Sequence, residues 1–254
     1  VIVFADMKVF TQIAQFIYSI YALIVFVALM FVIFPFVAIA SAFGITGGNI
    51  IYKLCTLWAR IWYLFIGMKH REIYEVPHNK KQQYIFIGNH VSYMDVPPVV
   101  MGIHQPLRVL GKYEMVKIPV FGWIYRTAVI LVDRSSADKR SKSVRALKAA
   151  VSRGISIFIF PEGTFNESHK PLKSFYDGAF RIAIEMQTPI QPLLLIDTLE
   201  RMHFKGLFTL TPGKNRVVYL KEIEVTNYTL KDIHQLKEQV HAVMEDGLRR
   251  YRKY

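Results

Sequence analysis

The 254-residue chain contains one cysteine, Cys55. An internal disulfide is excluded, and the composition fits either a reducing compartment or a fold with no need of a disulfide. Nor is a catalytic thiol expected, because Cys55 stands in an apolar stretch with no histidine beside it. No Gly-x-Ser-x-Gly occurs, which removes the nucleophile elbow of serine hydrolases. Zinc-finger spacings and the aromatic and glycine signature of an RNA-recognition sheet are missing too. Acidic residues are scarce, 19 Asp and Glu against 32 Lys and Arg, for a net charge of +13. With nucleic-acid signatures gone, that balance points to anionic membrane surfaces or phosphorylated substrates.

The longest absence is of charge itself: none occurs from Val9 to Tyr52. Residues 12–34 form a helix of about 35 Å at ~1.5 Å per residue, enough for the ~30 Å hydrocarbon core of a bilayer. Pro35 interrupts the pattern, and a shorter apolar run ends at the turn-forming Gly-Ile-Thr-Gly-Gly of 44–48. Residues 49–70 read as a second helix with Lys53 and Arg60 on one narrow face. In an interfacial helix those two snorkel outward while Trp58 and Trp62 sit at headgroup level; a buried core helix is the other reading. A cleaved signal peptide is disfavoured by the length of the apolar region and its single basic residue, Lys8. Residues 1–70 are therefore expected to be a retained membrane anchor, either a spanning helix or a hairpin dipping into one leaflet.

From residue 71 to 254 short β-rich runs alternate with helical patterns. Runs at 83–88, 128–133, 155–160, 190–196 and 216–221 suit strands, several buried on both faces. Residues 96–103, 136–154, 177–187 and 230–254 suit helices. Such alternation predicts an α/β domain, an αβα sandwich around one mostly parallel sheet. The helix at 136–154 joins an apolar stripe to a basic face, read first as solvated and second as membrane- or donor-facing.

Polar residues gather where predicted strands end. His90 follows one strand, and Asp95 precedes Val96-Pro97-Pro98, a good helix start. A compact turn there brings the carboxylate back to the imidazole, fixes one tautomer and makes a general base. On spacing alone, an ordinary satisfied turn is the competing explanation. A second strand ends in Pro161-Glu162-Gly163-Thr164, where glycine permits close backbone approach and its neighbours offer polar partners. A third ends in Asp133-Arg134, and arginine binds phosphate in a bidentate manner; a surface ion pair is the plainer alternative.

Taken in order, GNHVSYMD (88–95), GKYEMVKIPVFGW (111–123) with VDR (132–134), FPEGT (160–164) and TPIQPLLL (188–195) resemble the glycerolipid acyltransferases. The similarity is specifically to the 1-acyl-sn-glycerol-3-phosphate acyltransferases and covers about residues 84–196. It implies transfer of a fatty acyl group from an acyl thioester to a lysolipid hydroxyl, giving phosphatidic acid where the acceptor is lysophosphatidic acid. His90 is then the base and Asp95 its partner; Glu162, Gly163 and Thr164 line the acceptor site, and Arg134 and Lys112 receive the phosphate. No cofactor is implied, only acyl-coenzyme A or acyl-carrier protein as co-substrate. Membrane lipids are the expected partners, and the cytoplasmic face of the cell membrane the expected location. One position departs. Tyr176 of Phe175-Tyr176-Asp177-Gly178 stands where the family often has lysine. Lys170 or Lys173 is the expected replacement, and a differently headed lysolipid, such as an N-acyl amino acid, the alternative acceptor.

Two rival classes remain. A metal site at His90 and Asp95 needs a third ligand, and His104 and His169 lack a characteristic spacing. A non-catalytic lipid-binding module would use the basic faces and the anchor alone.

Overall fold

The computed structural model describes residues 2–132 and 136–252. Its first helix, α1 (Ile2–Ser41), runs straight through Pro35, and α2 (Gly44–Phe65) returns alongside it. The expected break at Pro35 is absent. Proline costs one backbone bond and crowds the preceding turn, but Ile33 and Val37 on either side are buried. That packing carries the helix through. The reversal falls instead at residues 42–43, with Gly44 at φ +53°, and the Gly-rich segment becomes the first turns of α2. A left-handed residue at that corner favours glycine.

From Phe10 to Ser41, α1 contains an 18-residue window of mean hydropathy 3.0 and is long and apolar enough to cross a bilayer. Even so, it does not stand clear of the protein. Ser19, Ala22, Met30, Ile33, Val37 and Ala40 form a buried stripe at helical spacing. Phe26 packs its ring 4.4 Å from Trp58 and 5.3 Å from Trp62 of α2, and the Trp62 indole donates to the Ala22 carbonyl (2.8 Å). The opposite stripe, including Ile17, Ile24, Phe31 and Ile39, is exposed. The two tryptophans expected at headgroup level thus face inward, where their large rings pack against Phe26 between the two helices. Lys53 and Arg60 do lie exposed on one face of α2, together with Leu57 and Leu64.

The sheet has seven strands: β1 (Lys69–Tyr74), β2 (Ile85–Gly88), β3 (Leu107–Lys112), β4 (Val129–Val132), β5 (Ser156–Ile159), β6 (Ile190–Ile196) and β7 (Lys214–Tyr219). Their order is β1-β7-β6-β2-β5-β3-β4. The five strands from β6 to β4 are parallel; β7 is antiparallel to β6 and carries β1 beside it. This is the mostly parallel α/β sheet the alternating pattern predicts. Two strands escaped that pattern, β1 and β3, and the expected helix of 49–70 gives way at its end to β1.

Helices cover both faces, as parallel sheets require. Ile85, Ile87, Ile157, Ile159, Leu194 and Ile196 point to one side, against α5 (Ala137–Val151), α6 (Gly178–Glu185) and α8 (Ile233–Tyr251). Tyr84, Phe86, Phe158, Leu193 and Leu195 point to the other, where α3 (Val96–Gly102) packs through Val99. The α1–α2 pair and α4 (Phe121–Ala128) form their own apolar cluster beside α3, which contributes Met94 from the preceding turn and Met101. The short α7 (Thr198–Arg201) follows β6. The alternation along Tyr84–Ile87 thus feeds two cores at once.

Candidate active site

The site forms at the C-terminal ends of β2, β5 and β6, the edge at which open α/β sheets bind ligands. Register sets it up: Ile87 pairs with Ile159 and Gly88 with Leu193. Residues just beyond those pairs therefore emerge side by side. Gly88 is required here, since a Cβ would lie 2.7 Å from the Phe158 ring. Asn89 then prolongs the ladder with its side chain. Its amide donates to the Leu195 carbonyl (3.1 Å) and its oxygen accepts the Leu195 N–H (2.8 Å). A buried amide that satisfies both groups of a neighbouring strand locks the next residue, His90, in place.

His90 and Asp95 meet as the turn predicts. The imidazole Nδ1 lies 2.9 Å from Asp95 Oδ2. The same oxygen accepts the N–H groups of Val91 (2.7 Å) and Ser92 (2.9 Å). Asp95 is fully buried, whereas the His90 side chain is 18% exposed. A carboxylate that collects only donors places the ring proton on Nδ1 and leaves the Nε2 lone pair free. The ring stacks on Phe160 at 3.8 Å and meets the edge of Phe165 at 4.4 Å, so it has little room to rotate. Ser92 has a structural part: its hydroxyl accepts the Met94 N–H and donates to the Met202 carbonyl (2.6 Å). Pro97 and Pro98 follow Asp95 in the first turn of α3, where their missing donors cost nothing.

Glu162 is drawn into the same assembly. It is 2% exposed. One oxygen accepts the His90 N–H (2.8 Å) and the other the Lys173 N–H (2.9 Å), so its carboxylate faces inward onto His90 rather than outward to a ligand. Burial pushes its pKa up to about 7, against the opposing pull of the two N–H donors. The His90 carbonyl accepts from the Asn166 N–H (2.7 Å), which ties the histidine backbone to the same loop a second time. Gly163 takes φ +74°, the left-handed turn that its position demands. Thr164 is exposed, and its hydroxyl accepts from Lys173 Nζ (2.7 Å).

Among the other expected residues, Lys112 is the exposed last residue of β3, two strands from β2 at the same sheet edge. Lys170 is exposed on the loop after Thr164. Arg134 lies outside the described residues. Tyr176 is 64% exposed, and Asp177 beside it pairs with Lys237 (2.8 Å). His104, considered above as a metal ligand, instead contacts Glu72 of β1 (2.9 Å). Asn89 and the inward role of Glu162 had no sequence signal, because both depend on which strands are neighbours.

The family model described as Acyltransferase matches residues 69–196. An uncharacterised acyltransferase of Schizosaccharomyces pombe is 26% identical over 230 residues, covering 84% of this chain and 81% of its own. The 1-acyl-sn-glycerol-3-phosphate acyltransferases of Salmonella typhimurium and Cocos nucifera are 30% and 29% identical over 166 residues. Those matches cover 65% of this chain and 66% and 53% of the relatives. In fold, the chain is similar to the crystal structure of the 1-acyl-sn-glycerophosphate acyltransferase PlsC from Thermotoga maritima, with a TM-score of 0.72 at 20% identity. The likeness covers 93% of this chain and 97% of that one. With residues 69–196, half of its length, matched by the family model, the chain belongs to the acyltransferase family.

Proposed function

We propose that the protein transfers a fatty acyl group from an acyl thioester to the free hydroxyl of a lysolipid, with 1-acyl-sn-glycerol-3-phosphate as acceptor. The observation that carries this reading is the His90–Asp95 pair: a buried carboxylate holds Nδ1–H at 2.9 Å and leaves Nε2 free at a sheet edge. Nε2 takes the acceptor's hydroxyl proton while the oxygen attacks the thioester carbonyl. The tetrahedral intermediate collapses, the carbon–sulfur bond breaks, and the imidazolium returns the proton to the departing thiolate. No acyl-enzyme is needed.

Glu162 and Asn89 act as positioning residues for that base. The headgroup phosphate meets Lys173, whose ammonium already lies over Thr164 at the mouth of the site, with Lys112 and, by the family resemblance, Arg134 as further cations. Acyl-coenzyme A or acyl-carrier protein supplies the acyl group. The outward stripe of α1 rests in the membrane that holds the acceptor, on the cytoplasmic side, where acyl thioesters are found. An N-acyl amino acid is the second acceptor, favoured by Tyr176 standing in the place of a family lysine.

The test is an acceptor panel on purified protein with labelled acyl thioesters of both kinds. It compares lysophosphatidic acid, other lysophospholipids and N-acyl amino acids. Lysophosphatidic acid is expected to have the highest kcat/KM. Arg134→Ala is expected to raise KM for that acceptor far more than for the donor. Preference for an uncharged headgroup, or equal effects on both substrates, would contradict the phosphate assignment.

A further inference from the structure

The segment between α7 and β7 presents apolar side chains to the outside without being loose. Residues 203–209 close on themselves: the His203 N–H donates to Thr209 Oγ1 (3.0 Å), that hydroxyl donates to the Gly206 carbonyl (2.7 Å), and the Gly206 N–H donates to the His203 carbonyl (3.2 Å). On this closed loop Leu207 is 60% exposed and Phe208 44%. The loop also fastens to the flank of α1. Gln15 Nε2 donates to the Thr209 carbonyl (2.6 Å), the Leu210 N–H donates to Ser19 Oγ (3.0 Å), and Phe208 packs 5.2 Å from Phe16. Phe16 itself is half-exposed, on the outward side of the helix. At the loop's base, the Met202 carbonyl accepts the Ser92 hydroxyl from the His90 turn.

We propose that residues 203–208 are a second lipid-contacting element, which enters the headgroup region of the same bilayer surface as the outward stripe of α1. This rests on the reading that α1 lies in a membrane. Continuity identifies the occupant, because the exposed Phe208 packs against the exposed Phe16 of α1 and Leu207 stands beside it, so the apolar surface of the helix runs on into the loop. Charge agrees with it: the exposed Lys205 stands two residues before the apolar pair, a cation placed to meet an anionic interface. Hydrogen-bond closure explains why such a loop keeps its shape when it meets lipid rather than ordering on contact. The Ser92–Met202 bond then ties the catalytic turn to the membrane surface through a few residues, so the loop sets how the site sits above its lipid substrate.

The experiment places an environment-sensitive fluorophore on Leu207→Cys and, separately, on Ile24→Cys, both in the full chain carrying Cys55→Ala. Each is mixed with phosphatidylcholine–phosphatidylglycerol vesicles containing headgroup- or acyl-spin-labelled lipid. Quenching of both probes, with Leu207 quenched best from the shallow position, is the expected result. Quenching at Ile24 alone overturns the proposal and leaves the membrane reading of α1 standing. Quenching at neither overturns both, and quenching at Leu207 alone overturns the shared surface. As a second measure, the Leu207→Glu, Phe208→Glu double variant should partition at least about tenfold more weakly to these vesicles, since even partial transfer of two apolar side chains exceeds that factor. Unchanged partitioning, with thermal unfolding intact, would equally overturn it, as would weakened binding to an acyl-carrier protein in place of lipid.

Discussion

Glu162 accepts the backbone N–H of His90 at 2.8 Å, so an acidic side chain from the end of one strand holds the histidine at the end of its neighbour. With Asp95 on the imidazole and Asn89 on β6, His90 is fixed through its ring and backbone. His90, the proposed base, is pinned from three sides, and the parts that hold it predict different kinds of failure.

His90→Ala and Asp95→Asn remove the base and its holder. Turnover should fall by about 10²- to 10⁴-fold, the usual contribution of general-base catalysis. Vesicle binding should be unchanged in both, since neither residue touches α1's outward stripe. Loss of binding with turnover retained would favour the non-catalytic lipid-binding module. Steady-state kinetics beside vesicle sedimentation separates the two.

Glu162 makes stability depend on pH with a definite sign. Folded, it titrates near 7; its ordinary value is 4.5. Between those values the native protein keeps a proton that the unfolded chain has released. Its contribution is therefore full below about 4.5 and is lost as pH rises through 7. Glu162→Gln should flatten that part of the stability–pH profile, as read by denaturant melts at a series of pH values. An amide also turns one N–H donor toward another, so the variant should lose about 1–3 kcal/mol.

Lys173→Met tests the headgroup contact without disturbing the Lys173 backbone N–H that Glu162 uses. KM for lysophosphatidic acid should rise by about 10- to 100-fold, the scale of a hydrogen bond to a charged group. KM for a monoacylglycerol, and for the acyl donor, should stay where it was. Equal increases would place Lys173 outside the phosphate site.

Gly88→Ala tests the close packing beneath the site. The new methyl would meet the Phe158 ring at 2.7 Å, and overpacking of this kind costs about 1–3 kcal/mol. Combining it with Phe158→Leu, which withdraws the ring, should return part of the lost stability. Calorimetric melts of the two single variants and the pair give the comparison.

Five strands were legible because β2, β4, β5, β6 and β7 each carry a short run of Val, Ile or Leu, fully buried between helices in β2, β5 and β6. The strand β3 was hidden by Arg108 and Gly111, which interrupt its apolar run. The strand β1, Lys-His-Arg-Glu-Ile-Tyr, reads as polar because it lies at the sheet edge with two exposed positions. Neither sequence carries enough hydrophobic period to reveal a partner. Pro35 misled for the opposite reason: local chemistry argued for a break that burial on both sides of it overrode.

By itself the sequence determined the α/β class, the apolar character of the first helix and the meeting of His90 with Asp95, because each depends on residues close together in the chain. A five-residue turn capped by Ser92 and stopped by two prolines needs no distant help. Only the tertiary structure decided that Glu162 faces His90, that Asn89 completes a ladder with Leu195, that Trp58 and Trp62 turn inward, and that the 203–208 loop joins α1. Those contacts span from 32 to 194 residues of chain. Strand order and register bring them together, and no local pattern encodes either one.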